Sequence, residues 1–264
     1  MNKILSVNGI GLHFGEFVNV LVTSTSHKTG YRFFKNSIPV PFSVLNTELC
    51  TVIGNEYITI STIEHFMSLF YALNIFNVDI HINGPEMPIL DGSSIDVYNK
   101  IISQDFIVDT TNNPEVIVID KEYIVEDGES YIKISPSDRT EINFTIDFDH
   151  PLIGKQEYNL ILTPETYINE IAPARTFGFF EEYGKLKSLG YAKGGSLSNV
   201  IVLTEDGMMN ETKLRYPDEF VRHKILDLIG DFSLLGRPIQ CKIEAHKSGH
   251  RLNHRIVNEI KKDM

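Results

Sequence analysis

Apolar and polar positions along residues 3–25 read as two strands, on either side of a glycine-rich turn at 8–15. Phe17, Asn19, Leu21 and Thr23 fall on one face of the second arm, so the segment predicts a β-hairpin. The same period of two marks strands at 31–34, 57–60, 77–82, 116–125, 130–134, 141–147, 200–203 and 239–245. A helical period appears at 61–73, where Ser61-Thr62-Ile63-Glu64 fits a capping box. It recurs after Ser93 or Ser94 through residue 101, at 164–172, at 178–189 and in a closing helix at 253–262. Residues 109–114 are polar, aperiodic and end in Pro114, which makes them the candidate linker between parts 1–113 and 114–264. Each part has a helix with an early histidine (His65, His223), a tight turn and then an alternating strand, the pattern expected of two related layers.

The stretch 217–236, PDEFVRHKILDLIGDFSLLG, is apolar nearly all round and should be buried on most sides. Pro217 suits the first helical position, Asp218 and Glu219 complement the positive end of the dipole, and Gly236 with Pro238 supplies the stop. Yet His223, Asp227 and Asp231 stand at i, i+4 and i+8, in one row with about 6 Å per step. A buried carboxylate needs a partner or a metal ion. The row therefore admits three readings: a shared cation, a His–Asp hydrogen bond, or a solvated stripe on a half-exposed helix. Glu64 and His65 likewise divide between capping the first helix and chemistry, and His13, among glycines in GIGLHFGE, between plain surface and a ligand approached by backbone.

At 264 residues with 42% hydrophobic content the chain can bury a sizeable core. Its formal net charge of -11 argues against nucleic-acid or anionic-membrane attraction, while a local basic cluster can still hold an anionic ligand. Cys50 and Cys241, the two cysteines, are too far apart in sequence for a thiolate metal motif and read as free thiols of a reducing compartment. The amino terminus reaches polar and glycine residues too soon for a signal peptide, and no apolar run spans a bilayer, so a cytoplasmic protein without stable membrane insertion is expected.

Thr62-Ile63-Glu64-His65, Pro85-Glu86-Met87-Pro88-Ile89-Leu90-Asp91-Gly92, Ala174-Arg175-Thr176-Phe177-Gly178-Phe179, Gly194-Gly195-Ser196, Phe220-Val221-Arg222-His223-Lys224-Ile225-Leu226-Asp227 and Lys247-Ser248-Gly249-His250 occur in that order. In these segments, over nearly its full length, the chain resembles the UDP-3-O-acyl-N-acetylglucosamine deacetylases, zinc amidases of lipid A biosynthesis. The resemblance implies an α+β fold of two similar domains, each a mainly antiparallel sheet backed by two helices, with the helices packed inward in a β-α-α-β sandwich. It implies Zn2+, with Fe2+ as the alternative ion, on His65, His223 and Asp227. Glu64 would be the general base, His250 the general acid with Asp231 orienting its ring, and Thr176 the donor to the developing oxyanion. An insert near 177–205 would form an acyl passage lined by Phe177, Phe180, Tyr183, Ala192, Val200 and Val202, with Gly195 and Ser196 leaving room. Lys224 and Lys247 suit a diphosphate, and Phe148 and Asp147 match positions near the uridine. The family's lysine from the strand of Ser130 has only Lys133 nearby. The termini look short for the family, and no acyl-dehydratase domain is fused.

The expected reaction is N-deacetylation of UDP-3-O-[(3R)-3-hydroxyacyl]-N-acetylglucosamine, the committed step of lipid A biosynthesis, by a monomer. The rivals are a zinc amidase for another nucleotide sugar and a non-catalytic nucleotide-sugar-binding homologue.

Overall fold

The computed structural model describes residues 3–25, 28–106 and 108–264. Two five-stranded sheets dominate it, one from each part of the chain. The first contains β1 (Ile4–Ile10), β2 (Phe17–Ser24), β3 (Tyr31–Lys35), β4 (Ile38–Val40) and, after helix α1 (Glu64–Ala72), β5 (Val78–Ile82). Helix α2 (Ile95–Ser103) follows it. The second contains β6 (Tyr123–Asp127), β7 (Ser130–Ser135), β8 (Glu141–Phe148) and β9 (Gly154–Ile161). Helices α3 (Phe180–Ser188) and α4 (Glu219–Phe232) come next, then β10 (Lys242–His246) and α5 (His250–Lys261).

The strand orders are β1-β2-β5-β3-β4 and β6-β7-β10-β8-β9. In each sheet the last strand in sequence enters between the second and third, antiparallel to one and parallel to the other (β5 with β3, β10 with β8), and every other pairing is antiparallel. In both halves a long buried helix (α1, α4) comes before the inserted strand and a further helix (α2, α5) follows it. The loose echo between the two early-histidine helices is thus part of a repeated topology.

Both sheets show one face to solvent. Along β1 and β2, Leu5, Val7, Val18, Val20 and Val22 are buried while Ile4, Phe17 and Leu21 are exposed, the period-two signature of a half-covered sheet. The covering layer is helical. Every residue of α1 is buried, and α4 leaves only Arg222 and Lys224 partly accessible. The chain is therefore an α+β sandwich with helices between two outer sheets. Residues 109–114 carry no helix or strand, and they are pinned to the first half by Asn113 Nδ2 donating to the Asn74 carbonyl, 2.6 Å, and by the Asn112 carbonyl accepting from Asn77, 3.0 Å.

The helices meet at Gly230. A Cβ there would lie 2.3 Å from the Glu64 carbonyl oxygen and 2.8 Å from its Cα, so only glycine lets α4 approach the start of α1 this closely.

Several boundaries differ from expectation. Ser61 does not cap α1: its backbone bridges to the Pro85–Met87 segment, Thr62 takes a left-handed φ of 56° with its hydroxyl on Glu86, and the Glu64 carboxylate points elsewhere. Pro217 lies ahead of α4, which starts at Glu219, whereas Gly236, in the left-handed conformation at φ 68°, ends the 3-10 turn Ser233–Leu235 that extends the helix. The closing helix opens at His250, not at 253. The stretch 116–125 splits into Ile117–Val118, paired with Ile239–Gln240, and β6; likewise 239–245 breaks at Cys241. Only Thr59–Ile60 of 57–60 is strand. Strand β9 carries too few apolar residues to be visible as a pattern, because it is an edge whose inward side, Gln156 and Tyr158 included, is only half covered.

Candidate active site

Glu64 and His65 at the start of α1, His223 and Asp227 of α4 and His250 at the start of α5 converge on the floor of one cavity. His65 Nε2 lies 3.9 Å and His223 Nε2 3.4 Å from Asp227 Oδ1, and the donor atoms of the three side chains all fall within 4.8 Å of one another. All three side chains are buried. His223 Nδ1 donates to the Ala174 carbonyl, 3.0 Å, which leaves Nε2 its lone pair. His65 Nδ1 is buried without any hydrogen-bond partner.

Electrostatics sets the protonation states. Burial, seconded by His223, pushes the His65 pKa down to about 3, and burial also lowers that of His223. Burial acts to raise Asp227, but Lys224 at 2.7 Å from Oδ2 and the surrounding imidazoles prevail and hold the carboxyl well below its usual range. Two neutral imidazoles, one of them with a ring nitrogen left without a partner, and one carboxylate form a donor set that fits a divalent cation.

Glu64 and His250 face each other beside this trio, Oε1 to Nε2 3.7 Å. Burial lifts the Glu64 carboxyl to about 8 against the opposing pull of His250. Burial opposes charge on His250, but Asp231 Oδ2, 2.8 Å from its Nδ1, overrides it and raises the imidazole to about 9. Near neutral pH His250 is thus protonated, and burial alone keeps the Glu64 carboxyl largely protonated as well; a cation held by the adjacent donor set would draw Glu64 back toward its ionised form.

The loop 174–176 is held by a buried ion pair. Arg175 donates to both oxygens of Glu219, 2.8 and 3.1 Å, and its backbone N–H donates to Oε1, 3.0 Å. This fixes the Ala174 carbonyl for His223 and leaves Thr176 on the cavity wall.

The cavity holds about 780 Å³. Phe148, Thr176, Phe177, Phe180, Tyr183, Ala192, Gly195, Ser196, Val200, Val202, Lys224 and Lys247 all line it. Asp147 does not; its carboxylate lies 3.6 Å from Lys247 Nζ, at the rim. Asp231 stands behind His250. Lys133 is bound to Glu122, 2.6 Å, and does not reach the cavity, whereas Ser130 does. Helix α3 forms part of the wall and buries none of its side chains. His13 also lines the cavity, with its backbone N–H held by the buried carboxylate of Glu86.

Sequence reasoning missed Thr51 and Asn253, which donate to the two oxygens of Asp231 at 2.5 and 2.8 Å. Thr51 stands in no patterned segment and Asn253 at the start of the expected closing helix; the signal in the sequence was only that a buried Asp231 required donors. It also missed Leu12, Leu49, Leu186, Leu197 and Met209 on the walls, since an apolar lining reads as core. Among the described residues no helix is long and apolar enough to cross a membrane.

Comparison with known proteins agrees with this geometry. Residues 1–262 match the family profile described as LpxC, UDP-3-O-acyl N-acetylglycosamine deacetylase. A protein of Nautilia profundicola is 44% identical over 257 residues, covering 96% of this chain and 87% of its own length. One of Sulfurimonas denitrificans is 42% identical over 268 residues (100% and 91%), and one of Campylobacter fetus 40% over 260 residues (97% and 88%). All three bear the name UDP-3-O-acyl-N-acetylglucosamine deacetylase. With a single profile spanning both sheets and every polar side chain on the cavity floor, the chain belongs to the LpxC family of UDP-3-O-acyl N-acetylglycosamine deacetylases.

Proposed function

We propose that this protein hydrolyses the N-acetyl group of UDP-3-O-[(3R)-3-hydroxyacyl]-N-acetylglucosamine in the cytoplasm, releasing acetate and the free amine for lipid A biosynthesis. The observation that carries the reading is the meeting of a His-His-Asp donor set with an acid–base pair at the floor of a largely apolar cavity.

His65, His223 and Asp227 would hold the ion, zinc or else iron. When bound, such an ion polarises a carbonyl and lowers the pKa of nearby water. Glu64 takes the proton from the attacking water; burial raises its carboxyl, which makes it a stronger base once it is ionised. His250 delivers a proton to the departing amine, Asp231 keeping the ring charged and oriented. Thr176 donates its hydroxyl to the oxygen on which negative charge develops. The phenylalanines and small residues of 177–205 receive the acyl chain, while Lys247 with Phe148 and Asp147 meets the nucleotide at the rim. Lys224, suited by charge to the diphosphate, is already engaged by Asp227. Parts 1–113 and 114–264 act as two domains of a monomer, each bringing half of the acid–base machinery.

Acetate release should depend on the 3-O-acyl chain, with the deacylated nucleotide sugar turning over at least about 100-fold more slowly, because remote binding energy positions the amide. Equal rates on the two substrates would remove the acyl chain from the specificity. Stoichiometric zinc or iron in the purified protein, read by elemental analysis, is expected alongside.

The pH profile of kcat/KM should have a basic limb near 9, where His250 gives up its proton. Asp231→Asn removes the charge that raises this pKa against burial, so the basic limb should move to lower pH, toward the ordinary imidazole range. An unmoved basic limb in that variant would assign it to another group.

A further inference from the structure

We infer that Thr51 is a positioning residue that sets the general base and the acid of the reaction against each other through a single amino acid. The inference rests on the roles proposed for Glu64 and His250.

Thr51 belongs to the first half of the chain, just before the short strand Val52–Gly54, and is 1% exposed. All three of its polar groups are engaged. Its carbonyl accepts from the Ile63 N–H, 3.5 Å, at the entry to α1. Its N–H donates to Glu64 Oε2, 3.1 Å, leaving Oε1 to face His250. Its hydroxyl donates to Asp231 Oδ1, 2.5 Å, and lies 3.4 Å from His250 Nδ1. Asp231 Oδ2 is shared by His250 Nδ1 and Asn253 Nδ2, both 2.8 Å. Both oxygens of Asp231 are therefore occupied by donors.

A buried hydroxyl in this place has a specific consequence. Asp231 and His250 come from the second half of the chain, and Glu64 from the first; Thr51 touches all three. Without the hydroxyl, Asp231 Oδ1 would lose its hydrogen-bond donor, and the carboxylate and imidazole could rotate together relative to Glu64. The donor set of His65, His223 and Asp227 makes no contact with the Thr51 hydroxyl among the described hydrogen bonds, so ion binding should not depend on it.

The decisive variant is Thr51→Val, which keeps the shape and the backbone N–H and deletes only the hydroxyl. In the metal-loaded enzyme kcat should fall about 10- to 100-fold with KM within about twofold of wild type, as small misplacements of catalytic groups do. Metal content should be unchanged, and Thr51→Ser should restore most of kcat. Thr51→Val/Asp231→Asn should be no slower than Asp231→Asn alone, because the hydroxyl acts through that carboxylate. If Thr51→Val does not fold, as judged by thermal denaturation, Thr51→Ala in the same comparison with Thr51→Ser decides the matter. Wild-type kcat in a folded Thr51→Val or Thr51→Ala protein, or a loss that Thr51→Ser does not rescue, overturns the inference. Its failure is separable from failure of the proposed mechanism: in the first case Glu64→Ala and Asp231→Asn remain impaired, whereas in the second Glu64→Ala retains turnover.

Discussion

Glu64→Ala is expected to lower kcat by about 10²- to 10⁴-fold, the usual contribution of a positioned general base. Metal content should stay at the wild-type level. The separation of these two readouts follows from the geometry: Glu64 accepts from Thr51 and faces His250, while the donor set is made by His65, His223 and Asp227. Truncation leaves α1 intact, because Glu64 contributes no cap to it and the Thr51 N–H can be met by water in the space vacated. Glu64→Gln is the sharper probe, since it preserves the shape and can still hold a water but cannot take its proton. Near-wild-type turnover in a metal-loaded Glu64→Ala protein would remove Glu64 from proton transfer.

Gly230→Ala should destabilise the protein and disable it together. In the interior of an ordinary helix this exchange is favourable by about 1 kcal/mol. Here the added Cβ would meet the Glu64 carbonyl oxygen at 2.3 Å and its carbonyl carbon and Cα at 2.8 Å. These are backbone atoms, so no rotamer change relieves the clash and the helices must part. Overpacking of this kind costs about 1–3 kcal/mol. With a chain of this size the melting temperature should drop by about 3–8 °C. The part displaced is the start of α1, so turnover should fall further than the stability loss explains at temperatures where the variant is folded. A variant with unchanged melting temperature and activity would show that the contact is not tight in solution.

Much of this arrangement was legible in the sequence, and the reasons differ by element. The row His223, Asp227, Asp231 was visible because helical periodicity places residues geometrically, and α4 does bury all three. That the first two would meet His65, and the third His250, was not contained in any local pattern; it came from resemblance, and the structure brings the groups together. The α+β sandwich followed from the same resemblance, and the repeated strand order gives the early-histidine echo its physical basis. Thr51 was illegible because a lone threonine in a loop is informative only once its neighbours in space are known. The supposed capping box failed for a related reason. Ser61-Thr62-Ile63-Glu64 has the spacing, yet Glu64 is drawn off by Thr51 and lies by His250, and the Ser61 backbone is claimed by the 85–87 strand-like segment. A local motif yields where tertiary contacts bind its members more strongly. Lys224 shows a contact that its charge alone did not announce: it lines the cavity and also pairs with Asp227.

Helix α3 contributes a wall to the cavity and nothing to the interior of the fold. Exchanges along Phe180, Tyr183 or Leu186 therefore alter what fits inside without disturbing the packing that keeps the polypeptide folded. The side chains that bound this side of the cavity are thus set apart from those that hold the two sheets together.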